Sequence, residues 1–207
     1  MSEDDETSEI APRSHYLGSW RIDITERSGH GALPAPRAAL VRAIARALEA
    51  AGAPAPASVG LILSDDAELA ELNEAHMGHE GPTDVLSFPM LPPEAYPPHP
   101  GQAPAGQAAA TRGSKATGAS KPKAPAFALP AGVRIHVGDI IVSVERAIEQ
   151  AEQGRGGQTG TVRWSPGDEL RLLVTHGTLH LCGWDHADSV EGEAMRALEQ
   201  GLLASGR

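Results

Sequence analysis

Apolar residues recur along this chain with two different periods, and the way the periods alternate outlines a fold. Trp20, Ile22 and Ile24 alternate with Arg21 and Asp23, the period of a half-buried strand. From Pro36, suited to the first helical position, the run PRAALVRAIARALEAAG puts Leu40, Ile44, Ala47 and Leu48 on one face and stops at Gly52. SVGLILS at 58–64 reads as a strand, and Asp65-Asp66 opens a short helix carrying Leu69 and Leu72. Val85, Leu86 and Phe88 begin another strand behind the turn-forming GPTD. RIHVGDIIVS at 134–143 predicts a strand, and VERAIEQAEQ at 144–153 a helix ending at Gly154. Ser165-Pro166-Gly167-Asp168 joins an N-cap serine, a proline at the first helical position and an acid three residues after the cap, so a helix starts there. A last helix over 189–204 spaces Met195, Leu198 and Leu202 for packing. Strands alternating with helices predict an α/β or mixed α+β sandwich.

Composition changes this picture at two places. Residues 1–14 are acidic and aperiodic and are expected to form a disordered tail. Residues 92–132 hold nine of the seventeen prolines, too little apolar area to offset chain entropy, and are expected to be a disordered Pro/Ala/Gly-rich insertion. That insertion carries a net +3, so the remainder carries −13; it reads as a plain surface loop, with a basic tether to RNA as the other possibility. A second flexible loop is expected at GRGGQTG. The 207 residues fit one domain, 15–207, interrupted by the insertion. Only 3% of residues are aromatic, so the core must be built from Leu, Val, Ile and Ala. No apolar run approaches the ~20 residues needed to cross a bilayer, and the acidic start MSEDDETSEI does not resemble a secretory signal, so a cytoplasmic location without membrane contact is expected. The net charge of −10 argues against nonspecific coating of nucleic acid, though not against a locally basic cleft. Cys182 is the only cysteine, which excludes an intramolecular disulfide and a multi-thiolate zinc site. Any metal must be held by histidine or carboxylate.

Three of the nine histidines fall within eleven residues, 176–186, in the stretch THGTLHLCGWDHAD. His176 and His180, four apart, share a helix face, and Gly183 can end the helix with φ > 0 and turn the chain so that His186 approaches from the side. Three imidazoles suit zinc (Zn²⁺) and leave a fourth tetrahedral position open, the arrangement of catalytic zinc. Such an ion lowers the pKa of water to ~7 and polarises phosphoryl or carbonyl oxygens. The spacing coincides with the metzincin pattern H-E-x-x-H-x-x-G-x-x-H, except that Gly177 stands where those proteases carry a glutamate base. The expectation is a metal hydrolase that is not a conventional peptidase. Asp185 either orients an imidazole or bound water or caps the loop, and Cys182 reads as a small buried apolar residue. His76 and His79 read as surface residues that could also line a cleft; His15, His30, His99 and His136 have no comparable context.

HGTLHLCGWDH closely resembles the H-G-x-L-H-L-x-G-[YW]-D-H signature of the YbeY family, metal-dependent single-strand-specific endoribonucleases also described as rRNA maturation factors. LNEAHMGHEGPTDVLSFP at 72–89, VGDIIVS at 137–143 and MRALEQGLL at 195–203 resemble the same family, in the same order. The resemblance spans about 16–89 and 133–204. It implies a compact α/β domain with a small, mostly parallel mixed sheet and a zinc ion on His176, His180 and His186. It further implies a role in processing the ends of small-subunit ribosomal RNA and in ribosome quality control, with ribosomal RNA and ribosomal small-subunit proteins as partners.

Two departures stand out. The family commonly has an arginine facing the RNA at the position of Met77, and a thioether cannot contact a phosphate that way. His76, His79 or another basic residue would have to replace it, or activity is weaker. The long insertion between LSFP and VGDI is the second departure. The general base and the nucleophile are unassigned from sequence. A non-catalytic ribosome-assembly module with a structural zinc is the alternative, and a metallopeptidase a more distant one.

Overall fold

A computed structural model describes residues 11–27, 31–102, 133–154 and 164–205. The alternating residues Trp20, Ile22 and Ile24 build β2 (Trp20–Glu26), all three buried. Helix α1 (Arg37–Ala50) carries the chain across to β3 (Ala57–Ser64), which runs parallel to β2 with Ile22 opposite Val59 and Ile24 opposite Leu61. Pro36 caps α1 rather than entering it. Asp65 caps α2 (Asp66–Met77) by accepting the Glu68 N–H, and Gly78, at φ 69°, ends that helix. Next come β4 (Val85–Pro89), a 3₁₀ turn at Pro93–Ala95, β5 (Ile135–Ser143), α3 (Val144–Glu152), α4 (Pro166–Leu181) and α5 (Ser189–Ala204).

The result is a single compact α+β domain around one five-stranded mixed sheet. An edge strand β1 (Arg13–Leu17) pairs antiparallel with β2, giving the order β1-β2-β3-β5-β4. β3 and β5 are parallel, while β4 lies antiparallel on the outside of β5. Parallel and antiparallel pairings are therefore balanced, not mostly parallel, because both edge strands run antiparallel to their neighbours. β5 buries Ile140, Ile141 and Val142 in succession, the mark of a strand covered on both faces. At its start the register with β3 slips by one residue between Ser58 and Val59. Gly138 sits at this bulge with φ 149°, and a Cβ there would stand 2.3 Å from the Phe88 carbonyl oxygen. This explains the glycine of VGDIIVS.

α4 is the central helix, packed on β4 and β5 and touching α1, α3 and α5. Leu170, Val174, Leu179 and Leu181 are fully buried, each contributing about 1.5–3 kcal/mol of burial. The apolar letters between the histidines of HGTLHL thus anchor the helix that presents them.

Two expected boundaries are corrected. β1 begins at Arg13, inside the segment expected to be a disordered tail over 1–14. Its order comes from backbone pairing with β2, which needs no apolar alternation in β1 itself. Residues 92–102, expected within the insertion, are described: the 3₁₀ turn leads to Tyr96, which is buried in the core. The prolines there restrict φ and reduce the entropy cost of this order. Residues 1–10, 103–132 and 155–163, with the rest of the tail, the insertion and the GRGGQTG loop, lie outside the described residues, as does His30. Among the described residues no helix is long and apolar enough to cross a membrane.

Candidate metal centre

The helix carrying the first two histidines is fixed at both ends. At its start Ser165 Oγ accepts the Asp168 N–H at 3.1 Å while Asp168 Oδ2 accepts the Ser165 N–H at 3.2 Å, the reciprocal capping box expected from sequence. At its end Gly183, at φ 85°, donates to the His180 carbonyl and Trp184 to the Leu179 carbonyl, both at 3.1 Å. This Schellman pair turns the chain sharply back, so that Trp184, Asp185 and His186 return toward the helix face they have just left.

His176, His180 and His186 are brought together. Their ring centroids lie 4.5 Å (His176–His180), 5.6 Å (His176–His186) and 5.2 Å (His180–His186) apart, and one nitrogen from each falls within 4.8 Å of the others. His176 and His180 are half-buried and His186 is exposed, so the group opens to solvent on the His186 side.

The partners of the remaining nitrogens decide the chemistry. His180 Nδ1 lies 2.8 Å from the Trp184 carbonyl oxygen, which can only accept, so Nδ1 carries the hydrogen. His176 Nδ1 lies 2.6 Å from Glu199 Oε1 and donates to that carboxylate in the same way. Both Nε2 atoms are then bare lone pairs, and they face each other at 3.0 Å. Burial first, then the neighbouring His176 and His186, lower the His180 pKa to about 4, against the Trp184 carbonyl and Asp185, so a proton does not readily fill the gap. Two converging imidazole lone pairs left unprotonated are a donor pair for a metal cation. Donors at ~2.0–2.1 Å from a tetrahedral zinc stand about 3.3 Å apart, close to the observed 3.0 Å. The donor set therefore fits a metal ion.

Other expected residues fall into place around this group. Gly177 faces the sheet: a Cβ there would stand 2.8 Å from Ile140 Cγ2 and 3.0 Å from Val85 Cγ2, so this position has no room for a glutamate. Asp185 Oδ1 accepts the His186 and Ala187 N–H groups, which is the loop-capping role. Cys182 is buried, and burial pushes its thiol pKa up to about 12, leaving it unreactive. His76 and His79 are exposed, with His76 edge-on to Phe88 at 5.4 Å. Among the described residues no hydrogen bond ties either to the three-histidine group. Met77 is 48% exposed at the end of α2. His136 bridges Ser58 and Asp139 between β3 and β5, both at 3.2 Å.

Three participants escaped sequence reasoning. Glu199 is 6% exposed although it lies in a helix read as packing; an acid buried beside Met195 was the available signal. Glu191 Oε1 accepts the Asp185 N–H at 2.7 Å and holds the returning loop. His99 stacks on Trp184, ring centroids 4.0 Å apart and 9° from parallel, with its side chain 6% exposed.

Comparison with known proteins agrees with the motif. The family model described as endoribonuclease YbeY matches residues 25–206. A protein named endoribonuclease YbeY from Salinispora tropica is 39% identical over 168 residues, covering 81% of this chain and 86% of its own. One of the same name from Thermobifida fusca is 34% identical over 186 residues, covering 90% and 94%. A solution structure of a Thermotoga maritima protein matches with a TM-score of 0.45 at 20% identity, covering 89% of this chain and 90% of its own. Carrying the family's match over most of its length, the chain belongs to the endoribonuclease YbeY family.

Proposed function

We propose that this chain is a zinc-dependent, single-strand-specific endoribonuclease of ribosomal RNA maturation, acting in the cytoplasm on the ends of small-subunit RNA and in ribosome quality control. His176, His180 and His186 are its metal ligands. The observation that carries this is the pair of Nε2 lone pairs facing each other at 3.0 Å, each fixed by an Nδ1 hydrogen bond behind it. A zinc ion there supplies Lewis-acid polarisation of a phosphoryl oxygen.

The chain's own residues supply orientation and access. Glu199 and the Trp184 carbonyl set the tautomers of His176 and His180, and Glu191 holds the loop on which His186 stands. The exposure of His186 leaves a side from which an RNA strand can approach. Gly177 is directed into the sheet and Asp185 is engaged with its own loop, so neither serves as a general base. That placement of Gly177 also counts against a metallopeptidase.

A specific observation favours the alternative, an RNA-binding assembly factor with a structural zinc: Met77 offers no charge where the family's arginine would meet RNA. The two separate in one assay. Metal-replete protein and its His180→Ala variant are incubated with labelled single-stranded RNA and with a casein-like peptide. Scission of RNA by the first and not the second is expected. RNA binding without scission by either supports the assembly factor, and peptide cleavage would overturn both.

A further inference from the structure

A shallow surface groove between α1, α4 and α5, with an accessible volume of only about 10 Å³, is lined by Arg42 and Arg46 from α1, Arg171 and Thr175 from α4, and Leu202 and Leu203 from α5. Arg171 is set into its wall, with a side chain 14% exposed, 3.4 Å from both Asp168 Oδ1 and the Leu203 carbonyl oxygen. Arg42 and Arg46 stand one helical turn apart, so they are neighbours on the same face of α1. Most other arginines of the described residues are committed: Arg21 to Asp23, Arg27 to Glu68, Arg37 to Glu26 and Arg146 to Asp66. Arg42 and Arg46 have no hydrogen bond or ion pair among the described residues. In a chain of net charge −10, two like charges left without a carboxylate beside a third form a local field that an anion would relieve.

The groove shares α4 and α5 with the candidate metal centre. Thr175 precedes His176 on α4, and Leu202 and Leu203 lie one turn beyond Glu199, which holds His176. The planar forks of arginine suit phosphate oxygens, whereas the groove has no aromatic anchor of the kind a protein partner would use.

We propose that this groove is a phosphate-backbone site for single-stranded RNA, in which Arg42 and Arg46 engage the stretch of strand flanking the metal centre and Arg171 provides a fixed charge in the wall. The substrate class rests on the function proposed above; the site itself is additional to it. It also supplies basic contact to RNA that Met77 cannot.

The test is fluorescence anisotropy with a labelled single-stranded RNA 20-mer in EDTA, so that binding is read without cleavage. Full-length protein is compared with Arg42→Ala/Arg46→Ala and with Arg42→Lys/Arg46→Lys. Both positions are solvent-accessible, and alanine is the stronger helix former, so the fold is preserved. The alanine pair should weaken binding about tenfold at low salt and reduce the slope of log Kd against log salt by about 1.4, roughly 0.7 per lost phosphate contact. The lysine pair should keep most of that slope. An unchanged affinity and slope in the alanine pair would overturn the proposal, as would a poly-glutamate peptide that binds as tightly as the RNA through the same arginines. Steady-state cleavage by metal-replete protein distinguishes the two levels of inference. RNA binding that depends on these arginines without any cleavage refutes the proposed activity and leaves the groove standing; cleavage with unchanged KM in the alanine pair does the reverse.

Discussion

Glu199 makes one hydrogen bond to His176, and that bond determines which nitrogen of the ring is free to bind a cation. Removing it should release the ring to rotate and to change tautomer. Glu199→Ala is expected to weaken metal affinity by about 10–100-fold, with Glu199→Gln, which keeps an acceptor oxygen, falling in between. Competition against a chromogenic chelator measures both, and equal affinity in all three proteins would refute the assignment. His180 makes a second prediction, this one about acid. Its pKa is lowered to about 4 in the folded, metal-free protein, against about 6.5 when unfolded. Above pH 6.5 neither state binds the proton and the group contributes no pH dependence. Between pH 6.5 and 4 the unfolded chain takes up the proton first, so stability falls as pH falls, by on the order of 3 kcal/mol in total. Urea unfolding of metal-free protein at pH 7.5, 6, 5 and 4 should show this loss, and His180→Gln should flatten it. A variant with the same slope as the parent would show that another group is responsible.

At the scale of elements, legibility in the sequence tracked whether a segment carries its own apolar signature. β2, β3, α1, α4 and α5 each bury a periodic face, and each stands within a residue or two of its expected position. β1 has no such face: its five residues are all exposed or half-exposed, and pairing with β2, helped by the Ser14 hydroxyl donating to Asp23, orders it. The candidate site divides in the same way. His176, His180 and the Gly183 turn lie in one helix and its cap, where spacing in sequence is spacing in space. Glu199 meets His176 across 23 residues of chain, and His99 meets Trp184 across a proline-rich run that composition alone marks as unstructured. The segment ending near Gly101 straps the ligand-bearing turn: a Cβ on Gly101 would stand 2.3 Å from the Glu191 backbone nitrogen. Among the described residues neither ring nitrogen of His99 makes a hydrogen bond, although both are buried, and Nδ1 lies 3.6 Å from Glu191 Oε1. Replacing the ring by an apolar one should therefore break no hydrogen bond and keep the stack, at the loss only of the long contact to Glu191. His99→Phe is expected to be neutral or up to about 1 kcal/mol more stable, whereas His99→Ala should lose about 1–3 kcal/mol by emptying the space over Trp184. Paired denaturant curves decide this, and a destabilised phenylalanine variant would mean that the imidazole nitrogens are used.

At the scale of the molecule, the candidate centre bears on global stability because of where α4 sits. The helix that carries His176 and His180 is also the core's main contact between β4, β5, α1, α3 and α5, so α4 does not unfold without taking the domain with it. An ion bridging α4 to the turn before α5 therefore stabilises the whole cooperative unit instead of a surface loop. Binding only to the folded state adds about 2.7 kcal/mol at a free metal concentration of 100 times Kd. For a domain of this size 1 kcal/mol shifts Tm by roughly 2–4 °C, so chelation should lower Tm by about 5–11 °C. His180→Ala should begin from the lower value and not respond to zinc or chelator. Scanning calorimetry with and without chelator, on the protein and on this variant, reads the effect directly. If metal removal altered only the fluorescence of Trp184 and left Tm in place, the ion would be confined to a locally folding turn, and the coupling of the centre to the core through α4 would be wrong.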